Sequence, residues 1–337
     1  MTMAGAPAPS LDVIVVNYRT GPLVIGCLDS LSHERERMPG LRAIIVDNAS
    51  GDGSARQIAD AIASRGWHWA TLIESPVNGG FGAGNNFGLQ YARTRDEPAD
   101  LFWLLNPDTV VRPGAALALA QFMAAHPAAG IAGSMLLEAD GAPWPFAFRF
   151  PSILGEFERG ARLGVVTRLL RNRAVLRPMG QAPERADWVS GASFVVRRAM
   201  LEQGLAFDER FFLYYEETDL CLRAARAGWE CWYVPAAVVL HIAGQSTGVT
   251  GAQAAPKRLP LYWFQSRRRY LVKNHGSLYT AFADIAWMAG HLLFVTRSWL
   301  GKKQRTDPPH LATDFLQSSV LFPGRAWQRG GRTGALS

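Results

Sequence analysis

The chain has 337 residues, 48% hydrophobic and 19% charged, enough for one large α/β domain with attachments or for two domains. Disordered, collagenous and small disulfide-framed proteins are excluded. Its 35 Lys and Arg against 28 Asp and Glu give +7, unevenly spread: from Lys257 onward 13 basic residues face three acidic ones, so a mildly acidic body precedes a cationic segment suited to anionic lipid or nucleic acid.

Cys27, Cys221 and Cys231 are odd in number and contain no CxxC pair, which argues against a disulfide frame or zinc ribbon and for a reducing compartment. The first ten residues, MTMAGAPAPS, lack the basic start and apolar core of a secretory signal, so a cytoplasmic location is expected.

In chain order, LDVIVVN (11–17) is a near-continuous β-branched run, the pattern of a strand buried on both faces of a parallel sheet. Similar runs follow at 42–47, 68–73 and 101–105, separated by helix-like stretches at 21–32, 54–65 and 82–94. This βαβαβαβ alternation predicts an α/β protein with a mainly parallel, doubly wound sheet flanked by helices. Another helix-like stretch, 113–125, precedes an apolar run near 130–137, and the pattern then weakens through a Pro- and Arg-rich region, 142–187. Six arginines fall between Arg159 and Arg177. Strand character returns at 188–196 and 231–234, on either side of a helix-like segment, 216–227. The basic aromatic segment LYWFQSRRRYLVKNHG and an apolar helix close the pattern. The apolar stretch Leu278 to Leu300 contains Asp284, His291 and Arg297, so a clean membrane span is not expected.

In such sheets ligands bind beyond the carboxyl ends of the strands. Those positions hold Asn17, Asp47-Asn48, Asn78-Gly79 and Asn106-Pro107-Asp108, a polar rim suited to a nucleotide. NGGFGAGNN (78–86) does not have G-x-G-x-x-G spacing and follows the third strand, so a dinucleotide site is not expected. It suits either a glycine-rich turn with Asn side chains toward a nucleotide or the tight start of a helix. Asp108 stands where a divalent ion could bridge it to a diphosphate. Glu216, Glu217 and Asp219 lie at a helix start beneath two tyrosines, where one carboxylate could serve as a general base. His241 ends an apolar run and is either structural or, beside a metal, a neutral imidazole ligand.

Together, VIVVNYRT (13–20), VDNASGDGS (46–54), NGGFGAGNN (78–86), LLNPDT (104–109), WVSGASFVVRR (188–198), FDERFFLYYEETDLCLRAARAGW (207–229) and His241 resemble a family 2 glycosyltransferase of the GT-A fold, closest to its bacterial rhamnosyltransferase-like branch. The resemblance covers about residues 11 to 275. It implies that Asp47 contacts the nucleotide base, with Asn17, Asn48, Asn78, Gly79, Asn86 and Asn106 in the nucleotide site. Asp108, the last carboxylate of a DXD-like motif whose first Asp is replaced by Asn106, and His241 would hold Mg2+ or Mn2+. Glu217 matches the catalytic base position, normally Asp. Trp188, Ser190, Gly191, Glu216 and Asp219 would lie near the sugar and acceptor, although Trp188 equally suits the core.

The implied reaction is an inverting transfer from a nucleotide diphosphate sugar, with dTDP-rhamnose the leading donor ahead of UDP- and GDP-sugars. The acceptor would be a polyprenyl-diphosphate-linked or polysaccharide sugar in cell-surface glycan synthesis such as O-antigen. The implied organisation is a disordered 1–10, a catalytic domain 11–255 divided into a nucleotide-binding half (11–110) and an acceptor half (111–255), a membrane-associating helical segment (256–305), and a loose tail (306–337). Arg267, Arg268, Arg269, Lys273, Lys302, Lys303 and Arg305 flank the apolar helix, which would rest on the inner face of the cytoplasmic membrane or pack on the sheet. The alternatives are an inactive scaffold, a nucleic-acid-binding protein, for which no module signature is present, and a nucleotidyltransferase, which would need a phosphate loop where Asn17-Tyr18-Arg19-Thr20 stands.

Overall fold

The computed structural model describes residues 9–242, 257–301 and 307–322. They form two compact units, one of residues 9–150 and 178–242 and the other of 151–177, 257–301 and 307–322. The expected tail residues Lys302, Lys303 and Arg305, and residues 1–8 of the expected disordered start, 1–10, lie outside the described residues.

The first unit opens with β1 (Leu11–Asn17), α1 (Gly21–Glu34), β2 (Arg42–Asp47), α2 (Ser54–Ser64), β3 (Ala70–Glu74), α3 (Gly80–Arg93) and β4 (Leu101–Leu105). The third strand starts two residues later than its apolar run, because 66–69 forms a turn closed by Ala70 N–H donating to Trp67 O at 2.9 Å. Then follow β5 (Thr109–Val111), α4 (Ala115–Ala125), β6 (Ala129–Leu137) and β7 (Ala147–Phe148). In the second unit lie α5 (Ile153–Ala161) and α6 (Gly164–Leu169). The first unit resumes with β8 (Glu184–Arg185), β9 (Trp188–Val189), β10 (Ser193–Arg197), α7 (Arg198–Glu202), α8 (Glu216–Arg226) and β11 (Glu230–His241). The second ends with α9 (Leu261–Leu300) and α10 (Leu311–Ser318).

The main sheet runs β3-β2-β1-β4-β10-β6-β11-β5, with β8 beside β11. Pairings among β3, β2, β1 and β4 are parallel, as is β6 with β11, while β10 and β5 run antiparallel to their neighbours. The β-branched runs account for the parallel half: Val13, Ile14, Val15, Ile44, Ile45 and Leu104 have no exposed surface, as strands covered on both faces require. Trp103 stays dry in this core because its indole N–H donates to Ser193 Oγ at 2.9 Å, itself 2.7 Å from Ser134 Oγ. The three cysteines are buried free thiols.

Register assembles one edge. Asn17 lies beside Asp47, and Ser193 beside Leu105, so the turn 190–192 that splits the expected strand 188–196 arrives at the carboxyl end of β4. The expected strand 231–234 continues past an irregularity after Val234 to His241, which pairs with Thr109.

In the second unit, α5 crosses α9 at two glycines. A Cβ on Gly160 would meet Trp287 O at 2.4 Å, and one on Gly290 would meet Phe157 O at 2.3 Å. Arg267, at the centre, bonds Glu156 Oε2 at 2.7 Å and Asp284 Oδ1 at 2.6 Å. Arg159 and Ser319 complete the cluster. Burial pushes the Glu156 carboxyl up, but Arg159 and Arg267 outweigh it and hold the group below its ordinary range. The basic aromatic segment and the apolar helix form one helix, α9, kinked at Gly276, whose φ is +85°. In the stretch expected to be loose, α10 buries Leu311 and Phe315, with Phe315 stacked on Trp287 at 3.9 Å. Helix α9 is the one helix among the described residues long and apolar enough to cross a membrane by length and composition.

Candidate active site

The end of β1 is organised by its last side chain. Asn17 Nδ2 donates to Asp47 Oδ1 at 2.6 Å, Ser50 Oγ at 3.1 Å and Ser54 Oγ at 2.9 Å, while its Oδ1 accepts from Thr20 N–H at 3.0 Å and Thr20 O–H at 2.9 Å. Ser50 adds bonds to both Asp47 oxygens. Every polar atom of Asn17 is thus engaged within the protein, holding Asp47 and tying the 47–54 turn to the start of α1. Arg19 and Ala49 adopt left-handed backbone, φ 59° and 56°, a strained geometry that concentrates at functional edges. Arg19 is a rim cation that strand-end counting missed; its Nε donates to Ser50 O and its guanidinium lies 5.1 Å from the Tyr18 ring.

Asn48 Nδ2 donates to Asn78 Oδ1 at 2.9 Å and Gly80 O at 3.1 Å, leaving its Oδ1 buried without a partner among the described residues. Asn78 Oδ1 also accepts from Gly80 N–H, and Gly79 caps α3.

The glycine-rich stretch works as a packing surface. Gly80 has φ +88° and a Cβ there would lie 1.9 Å from Phe212 O; a Cβ on Gly84 would meet Val16 at 2.8 Å, and on Gly88 Ile14 at 2.6 Å. Gly82 faces Phe207 and Glu216. Helix α3 therefore presses its backbone on β1, β2 and the segment before α8, as a tightly packed helix start does. Asn86 serves the same contact: its amide donates to Phe207 O at 3.0 Å and Glu209 Oε1 at 2.9 Å and accepts from Phe207 N–H at 3.1 Å. Its side chain is spent on that turn.

Asp108 and His241 meet across the β5–β11 pairing, Nε2 to Oδ1 at 3.4 Å, and Ile242 N–H donates to Asp108 O at 3.0 Å. Both side chains are largely shielded, and His241 Nδ1 is buried without a partner among the described residues. No cluster of three or more His, Cys, Asp or Glu side chains forms among the described residues. One carboxylate and one imidazole nonetheless suit Mg2+ or Mn2+, which take few protein ligands when phosphate oxygens complete the shell. Asn106 is held by its N–H to Ala192 O at 2.9 Å, which fixes the 106–109 turn against 190–192.

Helix α8 begins after two left-handed tyrosines, Tyr214 and Tyr215, with φ 71° and 67°. Glu217 is half-buried, with Oε2 out of water and without a hydrogen-bond partner among the described residues, while Oε1 lies 3.5 Å from the position of a Cβ on Gly191. Desolvation pushes its pKa up to about 7, opposed by backbone N–H groups of Glu217, Gly191 and Thr218. Glu216 is buried and is raised well above its ordinary range by burial and then by the Glu217 charge. Neighbouring carboxyls with raised pKa mark an acid–base site. Asp219 instead pairs with Arg223 at 2.8 Å and has no exposed side-chain surface, a structural role. Trp188 stacks on Phe148 at 4.1 Å and donates to Arg149 O, and Ser190 N–H donates to Phe146 O.

Residues 12–164 match the model of Glycosyl transferase family 2. An N-acetylglucosaminyl-diphospho-decaprenol L-rhamnosyltransferase of Mycobacterium tuberculosis is 32% identical over 252 residues, 71% of this chain and 78% of that protein. Rhamnosyltransferase WbbL of Escherichia coli is 26% identical over 166 residues, 49% of this chain and 61% of that protein. Among solved structures, GalNAc-T7 with UDP, GalNAc and Mn2+ superposes with a TM-score of 0.60 at 12% identity, over 93% of this chain and 56% of that one. Mannosyltransferase PcManGT from Pyrobaculum calidifontis with GDP-Man and Mn2+ gives 0.53 at 16% identity, over 94% and 83%. The fold is the GT-A fold of nucleotide-sugar transferases. The chain belongs to glycosyl transferase family 2 and is a rhamnosyltransferase-like glycosyltransferase.

Proposed function

We propose that the protein transfers L-rhamnose from dTDP-rhamnose to a sugar hydroxyl on a polyprenyl-diphosphate-linked acceptor in cell-surface glycan synthesis, acting as a peripheral enzyme on the inner face of the cytoplasmic membrane. The observation that carries the chemistry is the poised Glu217 carboxyl on the same sheet edge as the Asp108–His241 pair. The donor and acceptor rest on the likeness to the mycobacterial rhamnosyltransferase, whose name states both a diphospho-decaprenol acceptor and L-rhamnose.

Single displacement at the anomeric carbon needs a base on one side and leaving-group stabilisation on the other, and it inverts configuration. Glu217 takes the proton of the acceptor hydroxyl, with the Gly191 N–H orienting its carboxylate. Asp108 and His241 would hold Mg2+ or Mn2+, which when bound offsets charge on the departing diphosphate. Asp47, buttressed by Asn17, and the spare Asn48 carbonyl accept from N–H groups of the base, as a thymine N3–H requires. Asn78 and Gly79 shape the same pocket. Ser190, Gly191, Glu216 and Trp188 border the acceptor side, and exposed apolar residues on α9, among them Leu278 and Phe282, support membrane contact.

A thermal-shift panel of dTDP, UDP and GDP, each with and without Mg2+ or Mn2+, tests this. Metal-dependent stabilisation by dTDP is expected, about 2.7 kcal/mol at a hundredfold excess over Kd. A response to UDP or GDP alone replaces the donor, a reading favoured by the UDP and GDP-Man in the solved relatives. Silence from all three removes the transferase site.

A further inference from the structure

The arginine-rich stretch has no part in the chemistry above. Residues 159–183 contain six arginines and no acidic residue. Two are used within the helical unit, Arg159 on Glu156 at 2.7 Å and Arg162 on Asp307 at 2.9 Å. Arg168, Arg171 and Arg173 are exposed, and exposed Val165, Leu169 and Leu176 alternate with them; Leu169 shows 79% of its surface. These apolar side chains lie outside the unit's core, which is built from Phe264, Trp287, Leu311 and Phe315.

The corner between α5 and α6 is pinned to the end of α9. Arg297 donates to Arg162 O at 2.8 Å, and the Arg162 guanidinium lies 4.8 Å from the centre of the Phe294 ring. Trp299 and Leu300 follow within three residues of Arg297, exposed at 79% and 70%. The corner therefore sets exposed Val165 close to the α9 end that carries exposed Trp299 and Leu300, and α6 leads away from it with exposed Arg168 and Leu169, followed by exposed Arg171 and Arg173, whose backbone returns to Gly155 near the start of α5.

We infer that this surface docks on an anionic phospholipid bilayer, with α6 and the turn after it as the membrane-contacting element. The inference deepens the proposed function, because a lipid-linked acceptor requires the enzyme at that surface. Charge selects the occupant. A second copy would set exposed Arg168, Arg171 and Arg173 against their like, since the nearby carboxylates are already engaged, Glu158 by the Thr167 hydroxyl at 2.6 Å and Asp307 by Arg162 at 2.9 Å, whereas lipid phosphates match guanidinium forks. Tryptophan and leucine at such an end suit the boundary between headgroups and acyl chains.

Co-sedimentation of the full chain with phosphatidylcholine vesicles, and with vesicles that also contain phosphatidylglycerol, tests the inference. Binding is expected to the anionic vesicles only and to weaken with salt. Combined Arg168→Gln, Arg171→Gln and Arg173→Gln is expected to weaken it on the order of a hundredfold, at about one kcal/mol per basic residue. Val165→Ser with Leu169→Ser is expected to weaken it on the order of tenfold or more. Both variants, changed only at exposed positions, are expected to keep the wild-type melting temperature and metal-dependent nucleotide binding. Wild-type vesicle binding by the α6 variants, equal binding to neutral vesicles, or no binding by the parent chain overturns the inference. So does a parent dimer, by light scattering, that these changes dissociate. Nucleotide binding is read in parallel, so a parent chain that binds nucleotide but no vesicles overturns the docking alone, and a parent chain that binds anionic vesicles but no nucleotide overturns the transferase reading alone.

Discussion

Glu217 combines a buried oxygen with a pKa of about 7 against an ordinary 4.5, and both reactivity and stability follow. As a base it must be ionised, so transfer is expected to rise with pH through about 7 as one proton leaves. For stability the sign is opposite. Below 4.5 folded and unfolded chains both hold the proton; between 4.5 and 7 only the folded chain does, so stability falls as pH rises, levelling above 7. Glu217→Gln should therefore melt higher than the parent at pH 8 and equally at pH 4, by at most about 3 kcal/mol. It should also lower turnover by about 10²–10⁴-fold while leaving nucleotide binding intact; collapse of that binding would show that Glu217 is not the base. Asp108→Ala and His241→Ala should each weaken the metal-dependent part of nucleotide binding by calorimetry, and unchanged binding removes their metal role. The residue types at the strand ends were legible because loops there must carry polar groups. What each side chain does was not: Asn17 and Asn86 sit in promising motifs, yet their amides are consumed by Asp47 and by the Phe207 turn, partners 30 and 121 residues away.

At the scale of elements, close approach of backbones decides what the glycines mean. Gly80→Ala would push a methyl into Phe212 O and force a left-handed φ, displacing the segment that leads to Glu217. It should lower both the melting temperature and turnover, and an unchanged melting temperature would mean the loop moves freely. Helix α4 illustrates a device with no local signature. Glu34, at the end of α1, accepts from Gly114 N–H at 2.6 Å and Ala116 N–H at 2.7 Å, capping the start of α4 from another element. Glu34→Ala should cost about 1–3 kcal/mol by denaturant unfolding, because one buried and one half-buried donor lose their partner. Strands 11–17, 42–47 and 101–105 were readable to the residue because apolar runs, β-branched in the first two and Leu- and aromatic-rich in the third, end sharply at polar rim residues. The split at 190–192 and the long reach of β11 were not, since turns and irregular pairing are set by neighbouring strands.

Over the whole molecule, the helical unit is stabilised by a buried charge cluster as well as an apolar core. Arg267→Met should destabilise the protein by about 3–5 kcal/mol, because Glu156 and Asp284 would keep their charges in a dry setting with one partner lost. A denaturation midpoint equal to the parent's would mean water reaches the cluster. That residues 151–177 belong with α9 and α10 was invisible in the sequence, where they look like a weakly patterned stretch inside the catalytic half. The discontinuity bears on biosynthesis. A ribosome adding about 5–20 residues per second completes α5 some 5–20 s before α9 begins. Through that interval the Gly160 surface and Glu156 have no helix to close against, while the strands of the first unit are already being delivered. Helix α9 thus completes a helix made much earlier, and the nascent α5 stays exposed to chaperones, or to a nearby bilayer, until the residues around Gly290 that cover it have been added.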